Sequence, residues 1–417
     1  MEKAMSKKCV IVLGTLDTKG EEIQFLKQQL ERRKCSVIVI DVSMGGKPSF
    51  KADVSPDEIA RLGGKSIEEI RSSKDRDMVT KVMERGTMEK VKQLYAAGKV
   101  SGIMAAGGST IALFGAQVMK QLPFGIPKII VCPGVIPAHV RQLCATMDMI
   151  LMQGVVDFAG LNELVKSILT RAAGAMCGMT SDSVETIPQL LEKSVAITQL
   201  GWSDNCARLV KQHLEKRGYR VYPFHAQGVG DRAMDDLITK GFFDGVIDIA
   251  SAGVIEEIFR GTRSGGPKRL EAAGERGLPQ VIAPGSINIT NAGLTRRQSE
   301  KYVSREKKLK QDEVRVETRY NREELTTAAK VYAEKLNKAR GPVRFLFPTR
   351  GWSSLDREGS VLHDPEEDRV FIEELRRNLK PEIVIEELDC HLEDAEFALA
   401  LVEAFVLMAQ SRNRAKR

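Results

Sequence analysis

The sequence predicts an α/β protein built from two Rossmann-like, three-layer domains with mostly parallel sheets and a cleft between them. Three observations lead there. Short apolar runs rich in β-branched residues, such as Cys9 to Leu13, Ser36 to Asp41 and Gly102 to Ala106, alternate with helical patterns, as strands buried on both faces of a parallel sheet do. The strand-helix-strand order of residues 9–41 begins again at Ser194; GKVSGIMAAGG is echoed by GFFDGVIDIAS, and LPFGIPKIIVCPG by RGLPQVIAPG, which points to two halves of similar topology. At 417 residues the chain also exceeds one typical core. Domains are expected over 1–185 and 186–417. Their strand carboxyl ends would surround one cleft, a favoured place for a small-molecule site.

The first strand, Cys9 to Leu13, breaks at Gly14. Thr18 stands three residues before Glu21, which predicts a capping box, and Ile23, Phe25, Leu26 and Leu30 supply the apolar stripe of the helix that follows. Between strand and helix lies Gly14-Thr15-Leu16-Asp17-Thr18-Lys19-Gly20, at the strand end where open α/β sheets bind ligands. Free amides and the helix dipole there suit a phosphate. The spacing is neither that of a Walker loop nor that of a dinucleotide fingerprint, so an ordinary capped turn stays the alternative. Asp41 ends the second strand about where a ribose carboxylate sits, or else forms a turn. A Gly/Pro-bearing excursion from Gly45 to Gly64 and a long helix from Asp75 to Ala97 interrupt the βαβ scheme, as segments covering a site or building an interface do.

The third strand, Gly102 to Ala106, runs into Gly107-Gly108-Ser109-Thr110 and a helix from Ile111 to Met119. Paired glycines and hydroxyls make this a second cradle for a phosphate or carboxylate. The fourth strand, Pro127 to Cys132, precedes Pro133-Gly134 and His139, an acid/base group or simply a loop histidine. Asp148 and Asp157 flank the apolar run Met149 to Val156; they could orient a ligand, but no His or Cys stands at metal-ligand spacing. A helix from Leu161 to Cys177, the polar stretch Thr180 to Ser183 and a linker to about Lys193 complete this half.

In the second half, strands at Ser194 to Leu200 and Tyr219 to Phe224 flank a helix from Asn205 to Lys216. His225 follows directly, with Gly228 and Gly230 able to admit a ligand close to backbone. His225, Asp248 at the next strand end and Glu256 by the following helix are the acid/base candidates by residue type, the alternative being helix caps and solvated charges. The strand Gln280 to Ala283 opens into the polar loop Pro284 to Asn291. Arg296 to Glu324 holds ten basic and seven acidic residues, and that mixed sign predicts an exposed surface or interface segment. Helix Arg322 to Leu336, strand Val343 to Phe347, loop Gly351 to Asp356, strand Ile383 to Glu387 and helix Asp394 to Ala409 finish the chain. His363 and His391 lack metal-ligand neighbours, and no metal site is expected.

Composition sets limits. With 42% hydrophobic and 29% charged residues, the chain is an ordinary globular one. No apolar run reaches membrane-spanning length, and the N-terminus lacks a signal-peptide core, so a cytoplasmic location without membrane contact is expected. Seven cysteines with no C-x-x-C pair point to reduced thiols. The formal charge of +7 owes four to Arg412, Arg414, Lys416 and Arg417, leaving +3. With only 5% aromatic residues, nucleic acid is not an expected partner.

The strings GTLDTKGEE, GGS before a helix, LPFGIPKIIV, DMILMQGVVDFAGLN, FHAQGVGDRAM, GPKRLEAAGERGLPQVIAPG, GPVRFLFP and GWSSLD occur in this order. Together they resemble the tomato mosaic virus resistance protein-like family of ATP-binding-domain proteins, over residues 8 to 410. The resemblance implies two Rossmann-like domains, ATP with Mg in the first, and a dimer with itself or with a paralogue. Gly14, Thr15, Asp17, Thr18, Lys19 and Gly20 match the family's first loop; Gly107, Gly108 and Ser109 match its second; Asp148, Asp157, Gly160 and Asn162 match a third string. Departures fall mainly in the second half. Asp248-Ile249-Ala250-Ser251-Ala252-Gly253 replaces a run of threonines ending in Glu, Ile287-Asn288-Ile289-Thr290-Asn291 replaces Leu-Asp-Met-Val-Asn, and His391-Leu392-Glu393-Asp394 replaces His-Ile-Asn-Asp, while His225 is kept. In the first half the family's longer second loop is shortened to Gly107-Gly108-Ser109-Thr110. The expectation is thus a protein that binds ATP or another phosphorylated small molecule between the loops 14–20 and 107–110. Chemistry on a small carboxylate or sugar acid would use His225, oriented by Asp248 or Glu256. The alternative is a non-catalytic binding or regulatory subunit.

Overall fold

The computed structural model describes residues 8–134, 146–181, 193–293, 296 and 299–416, with side chains to 412. His139, the segment Val135 to Pro137, the linker 182–192 with the expected 185/186 boundary, and the side chains of Arg414, Lys416 and Arg417 lie outside the described residues. The chain separates into two compact units, Met1–Pro188 and Gln189–Arg417.

Unit 1 runs β1 (Cys9–Gly14), α1 (Gly20–Arg32), β2 (Ser36–Asp41), α2 (Pro56–Leu62), α3 (Ile67–Ser72), α4 (Arg76–Ala96), β3 (Gly102–Ala106), α5 (Ser109–Met119), β4 (Lys128–Cys132), β5 (Ile150–Gln153) and α6 (Glu163–Met179). All five strands are parallel, in the order β2-β1-β3-β4-β5. Strand alternation divides the core: Val10 and Val12 pack with α1 and α6, while Ile11 and Leu13 pack with the helices α2 to α5. Both faces of β1 are therefore covered, which is why its run is apolar throughout rather than alternating. The excursion after β2 folds into α2, α3 and α4, whose Ile59, Ile70, Val79 and Met83 enter this same core. The apolar run Met149 to Val156 contributes the short edge strand β5.

Unit 2 repeats the plan: β6 (Ser194–Gln199), α7 (Asp204–Lys216), β7 (Arg220–His225), α8 (Gly230–Thr239), β8 (Gly245–Asp248), α9 (Gly253–Ile258), α10 (Ala272–Glu275) and β9 (Gln280–Ile282). It then departs into β10 (Ile289–Asn291), α11 (Ser299–Val303), β11 (Lys308–Lys310), β12 (Val316–Arg319) and α12 (Arg322–Leu336), before β13 (Val343–Pro348), α13 (Pro365–Asn378), β14 (Val384–Leu388) and α14 (Ala395–Lys416). Its parallel sheet runs β7-β6-β8-β9-β13-β14, and β10-β12-β11 form a separate antiparallel sheet. Counted from each unit's first strand, both parallel sheets begin 2-1-3-4. The echoed strings mark β3 and β8, the third strands, and β4 and β9, the fourth.

Most described charged residues of the segment 296–324 are exposed, as its mixed sign predicts, and a few are not. Arg296, Glu317 and Arg319 are buried, because Arg319 ion-pairs with Asp368, Arg296 lies 4.0 Å from Glu256, and Glu317 accepts from Asn291. These few buried charges are paired within the unit.

Candidate functional site

In a parallel sheet ordered 2-1-3, the connections from β1 and β3 leave to opposite faces, and the crevice beyond their carboxyl ends is the usual ligand position. In unit 1 those ends carry the loops 14–20 and 107–110. A pocket of about 250 Å³ lies there, lined by Thr15, Thr18 and Lys19, by Gly108 and Thr110, and by Val42, Met44, Ile111 and Phe114. One wall offers hydroxyls, an ammonium and backbone; the other is apolar.

Local geometry explains how the loops come to face one another. The helix α1 starts at Gly20 with Lys19 as its N-cap, and no side chain caps it. The predicted capping box at Thr18 and Glu21 is therefore absent: the Thr18 hydroxyl pairs with the Thr15 hydroxyl at 2.9 Å, and Lys19 N donates to Thr15 O at 2.8 Å. Gly20 is required by close approach, since a Cβ there would stand 1.6 Å from Ser49 Oγ. Likewise Gly107 has φ +150° and a Cβ there would meet Ile111 at 2.5 Å. The α5 helix begins after Gly108, again with no side-chain cap. By contrast α2, α3, α4 and α6 are capped by Ser55, Ser66, Asp75 and Asn162. The two helices that start at the pocket thus leave their first amides to whatever enters it.

Other expected residues support the loops instead of lining the pocket. Asp17 Oδ2 accepts from Gly46 N at 2.9 Å, and Asp17 N donates to Ser43 Oγ at 3.2 Å. Asp41 Oδ1 accepts from Leu16 N at 3.1 Å and Ser43 N at 2.9 Å, so this buried carboxylate holds the first loop rather than reaching a ribose. Alternation past the end of β2 sends Asp41 and Ser43 one way and Val42 and Met44 the other, into the pocket. Val42 and Met44 were readable from that alternation, and Ile111 and Phe114 from the stripe of α5. Gly14 is buried against Ile23, and Ser109 is exposed outside the lining. Lys19 Nζ also donates to the Phe158 carbonyl, and Gly160 N donates to Glu22 Oε1 at 2.9 Å, so the turn before α6 is held against the start of α1. Asp148 accepts from Gly125 N and pairs with Lys128 at 2.8 Å, away from the lining.

The second-unit acids have different surroundings. His225 is exposed at the end of the edge strand β7, level with Gln199 of β6. Asp248 lies two strands away, about 10 Å by strand spacing, and is fully buried: Oδ1 accepts from Thr198 Oγ1 at 2.7 Å, and Oδ2 meets Arg269 Nη2 at 2.6 Å. Glu256 is equally buried, taking Arg263 Nη2 at 3.0 Å, Arg263 N at 3.2 Å and Thr290 Oγ1 at 2.7 Å. Burial pushes Glu256 up, but Arg263 and Arg296 outweigh it and hold the carboxyl below its usual range. Among the described residues no hydrogen bond joins the His225 ring to either acid. Neither Asp248 nor Glu256 is placed to orient His225, because ion pairing has committed both carboxylates. The loop from Ser286 to Thr290 is buried too, with Asn288 Nδ2 donating to Asp356 at 2.7 Å and to Asp368 at 2.9 Å. No group of three or more His, Cys, Asp or Glu able to hold a metal occurs among the described residues, and no described helix is long and apolar enough to cross a membrane.

Around Arg269 three carboxylates share one cation. Asp248 is nearest, with Asp231 at 3.5 Å and Asp235 at 3.7 Å. Burial, opposed by Arg269 and reinforced by the other two acids, pushes Asp235 up to about 7. A carboxyl whose pKa is raised by folding stabilises the fold while protonated, and that stability is lost as pH climbs from the unfolded value of 3.8 through about 7. The span is worth at most about 4 kcal/mol. The Asp235→Asn variant should accordingly unfold at a higher temperature than the parent at pH 8, with the gap closing towards pH 5 in thermal denaturation scans.

Comparison with known proteins adds kinship. The model of the Uncharacterised protein family (UPF0261) N-terminal domain matches residues 8–185, and that of its C-terminal domain residues 192–409. A UPF0261 protein of Clostridium tetani (strain Massachusetts / E88) is 35% identical over 409 residues, covering 97% of this chain and 100% of its own. The ToMV resistance protein Tm-1(GCR237) of Solanum lycopersicum is 30% identical over 422 residues, covering 95% of this chain and 55% of that protein. Among solved structures, a UDP-GlcNAc 2-epimerase from Neisseria meningitidis bound to UDP-GlcNAc is similar over 66% of this chain and 82% of its own, with 10% identity and a TM-score of 0.24. A likeness that slight supports no inference about ligand or reaction.

Proposed function

The chain belongs to the UPF0261 family through both of its domains, and from that premise we propose that unit 1 binds a phosphorylated small molecule, ATP being the first to test, in the β1/β3 pocket. The observation that carries this reading is the meeting of two side-chain-uncapped helix starts, those of α1 and α5, in one pocket. Each start concentrates about half a positive charge on free amides, and Lys19 adds a full one. Of the lysine's three donors, Phe158 O occupies one. The hydroxyls of Thr15, Thr18 and Thr110 complete a donor set suited to phosphate oxygens. Mg accompanying a triphosphate would be held by the phosphates with such hydroxyl oxygens as further ligands. A volume near 250 Å³ falls just below the roughly 300–1,000 Å³ of sites that enclose a whole small molecule. It suits the phosphate end, with Val42, Met44, Ile111 and Phe114 flanking what is attached.

A binding or regulatory role is favoured over catalysis at His225, since Asp248 and Glu256 are engaged in ion pairs. The test is calorimetric titration of the protein with ATP, ADP and inorganic phosphate, with and without Mg, repeated on Lys19→Ala. Saturable binding that weakens about 10- to 100-fold in the variant is expected, the worth of a charge-assisted hydrogen bond. Absence of binding at millimolar ligand would sink the reading.

A further inference from the structure

Cys35 stands between α1 and β2, and Cys177 lies in the last turn of α6, 142 residues away in sequence. Their sulfurs are 2.8 Å apart, at 4% and 8% exposure. Both belong to the core layer formed by α1 and α6 against one face of the sheet. No other pair of described cysteine sulfurs is in such contact, although Cys9, Cys132, Cys206 and Cys390 are free as well. A disulfide requires about 2.05 Å between sulfurs, so the two sulfurs at 2.8 Å need approach by less than about one ångström.

We propose that Cys35 and Cys177 form an oxidative modification site, at which a peroxide converts the two thiols into a disulfide that staples the end of α6 to the start of β2. In the first step the Cys177 sulfur, the more exposed of the two, attacks a peroxide oxygen. The O–O bond breaks, and water leaves with the thiol proton, giving a sulfenic acid. The Cys35 sulfur then attacks that sulfur; the S–O bond breaks and a second water leaves with the Cys35 proton. Two electrons pass from the sulfurs to hydrogen peroxide, and both its oxygens depart as water. Arg33 and Lys8 favour the Cys177 thiolate, but burial and the neighbouring Cys35 outweigh them and push the thiol up to about 12. The first step is therefore slow and the second, between atoms already in contact, fast. Such a site responds to sustained oxidation rather than to a brief pulse. The proposal is independent of any ligand in the pocket.

The experiment treats the folded full-length chain with millimolar hydrogen peroxide, then counts thiols after denaturation and maps disulfide-linked peptides by mass spectrometry. Thiols should fall from seven to five, the mass should drop by two hydrogens, and one linked peptide pair should contain Cys35 and Cys177. The oxidised chain should unfold about 5–10 °C higher, as closure of so long a loop predicts. Cys35→Ser and, separately, Cys177→Ser should abolish the linked pair. A thiol count that stays at seven, a linkage through other cysteines, Cys177 driven to sulfinic acid with Cys35 intact, or a lower unfolding temperature after oxidation would each overturn the proposal. Because the wild-type peptide map decides by itself, a variant that fails to fold leaves the test valid.

Discussion

Gly108→Glu is expected to weaken ATP binding at the β1/β3 pocket by 100-fold or more while leaving the fold intact. Gly108 has φ −69° and ψ −177°, an extended conformation open to any L-residue, and a Cβ built there meets nothing within 4 Å. The substitution therefore introduces neither backbone strain nor a clash. Gly108 is also the N-cap of α5 and part of the pocket lining, so the new carboxylate occupies the amides proposed for phosphate. At a helix start a carboxylate is favourable by about 0.3–1 kcal/mol, and the variant should be at least as stable as its parent. Its affinity should nevertheless collapse, because the anionic ligand loses the amides and faces a like charge in a small enclosed volume. Gly108→Ala is the control, expected to change affinity by only a few-fold. Calorimetry and thermal unfolding on both variants separate the outcomes. A Gly108→Glu protein that binds ATP as the parent does would show that the ligand lies elsewhere. Gly20→Ala cannot serve the same purpose, since its Cβ would overlap Ser49 Oγ and distort the first loop itself.

Two of the segments lining this pocket, the loops 14–20 and 107–110, were legible from strand ends followed by small residues, because the position of a loop beyond a parallel strand follows from topology. Which atoms of the loop face inward does not. Thr18 and Glu21 have the spacing of a capping box, yet the close packing of Gly20 on Ser49 sets the helix start, and Thr18 turns to Thr15. Asp41 has the right strand end for a ribose carboxylate, but the period of two places Val42 and Met44 in the pocket and leaves Asp41 to bind Leu16 N. The repeat of the two halves was readable because buried parallel strands are continuous apolar runs, and those of β3 and β8 are alike in length and flanking residues. In the segment 296–324 the exposed charges were legible from its mixed sign, but the buried ones were not. Arg319 finds Asp368 and Arg296 lies near Glu256, both far along the chain, and composition carries no record of such long-range pairing. His225, Asp248 and Glu256 could be selected by residue type alone, but whether carboxylates are free to orient a histidine depends on which cations fold against them.

Arg269→Met should destabilise unit 2 by about 3–5 kcal/mol at pH 8, the range for removing one partner from a buried charge cluster. Arg269 is 1% exposed and faces Asp248, Asp231 and Asp235, all on elements of the same unit. Methionine restores most of the volume, so the loss measures charge rather than a cavity. The remaining carboxylates then confront one another without a cation, which favours their protonated forms. Burial raises Asp231 and Asp235 already in the presence of Arg269, and without the guanidinium that opposes it both rise further. The sign follows from linkage: the variant's folded state takes up more protons than its unfolded state above pH 4, so its stability falls more steeply with pH than the parent's. At about 2–4 °C per kcal/mol for a unit of this size, the unfolding midpoint should drop by about 10 °C at pH 8 and by much less at pH 5. Since Asp235→Asn removes the carboxyl farthest from the guanidinium, combining it with Arg269→Met should recover part of the loss, and the two changes should be strongly non-additive. Equal destabilisation at pH 5 and pH 8 would show instead that Arg269 acts through packing, where Gly265 lies within 2.7 Å of its Cδ once a Cβ is added.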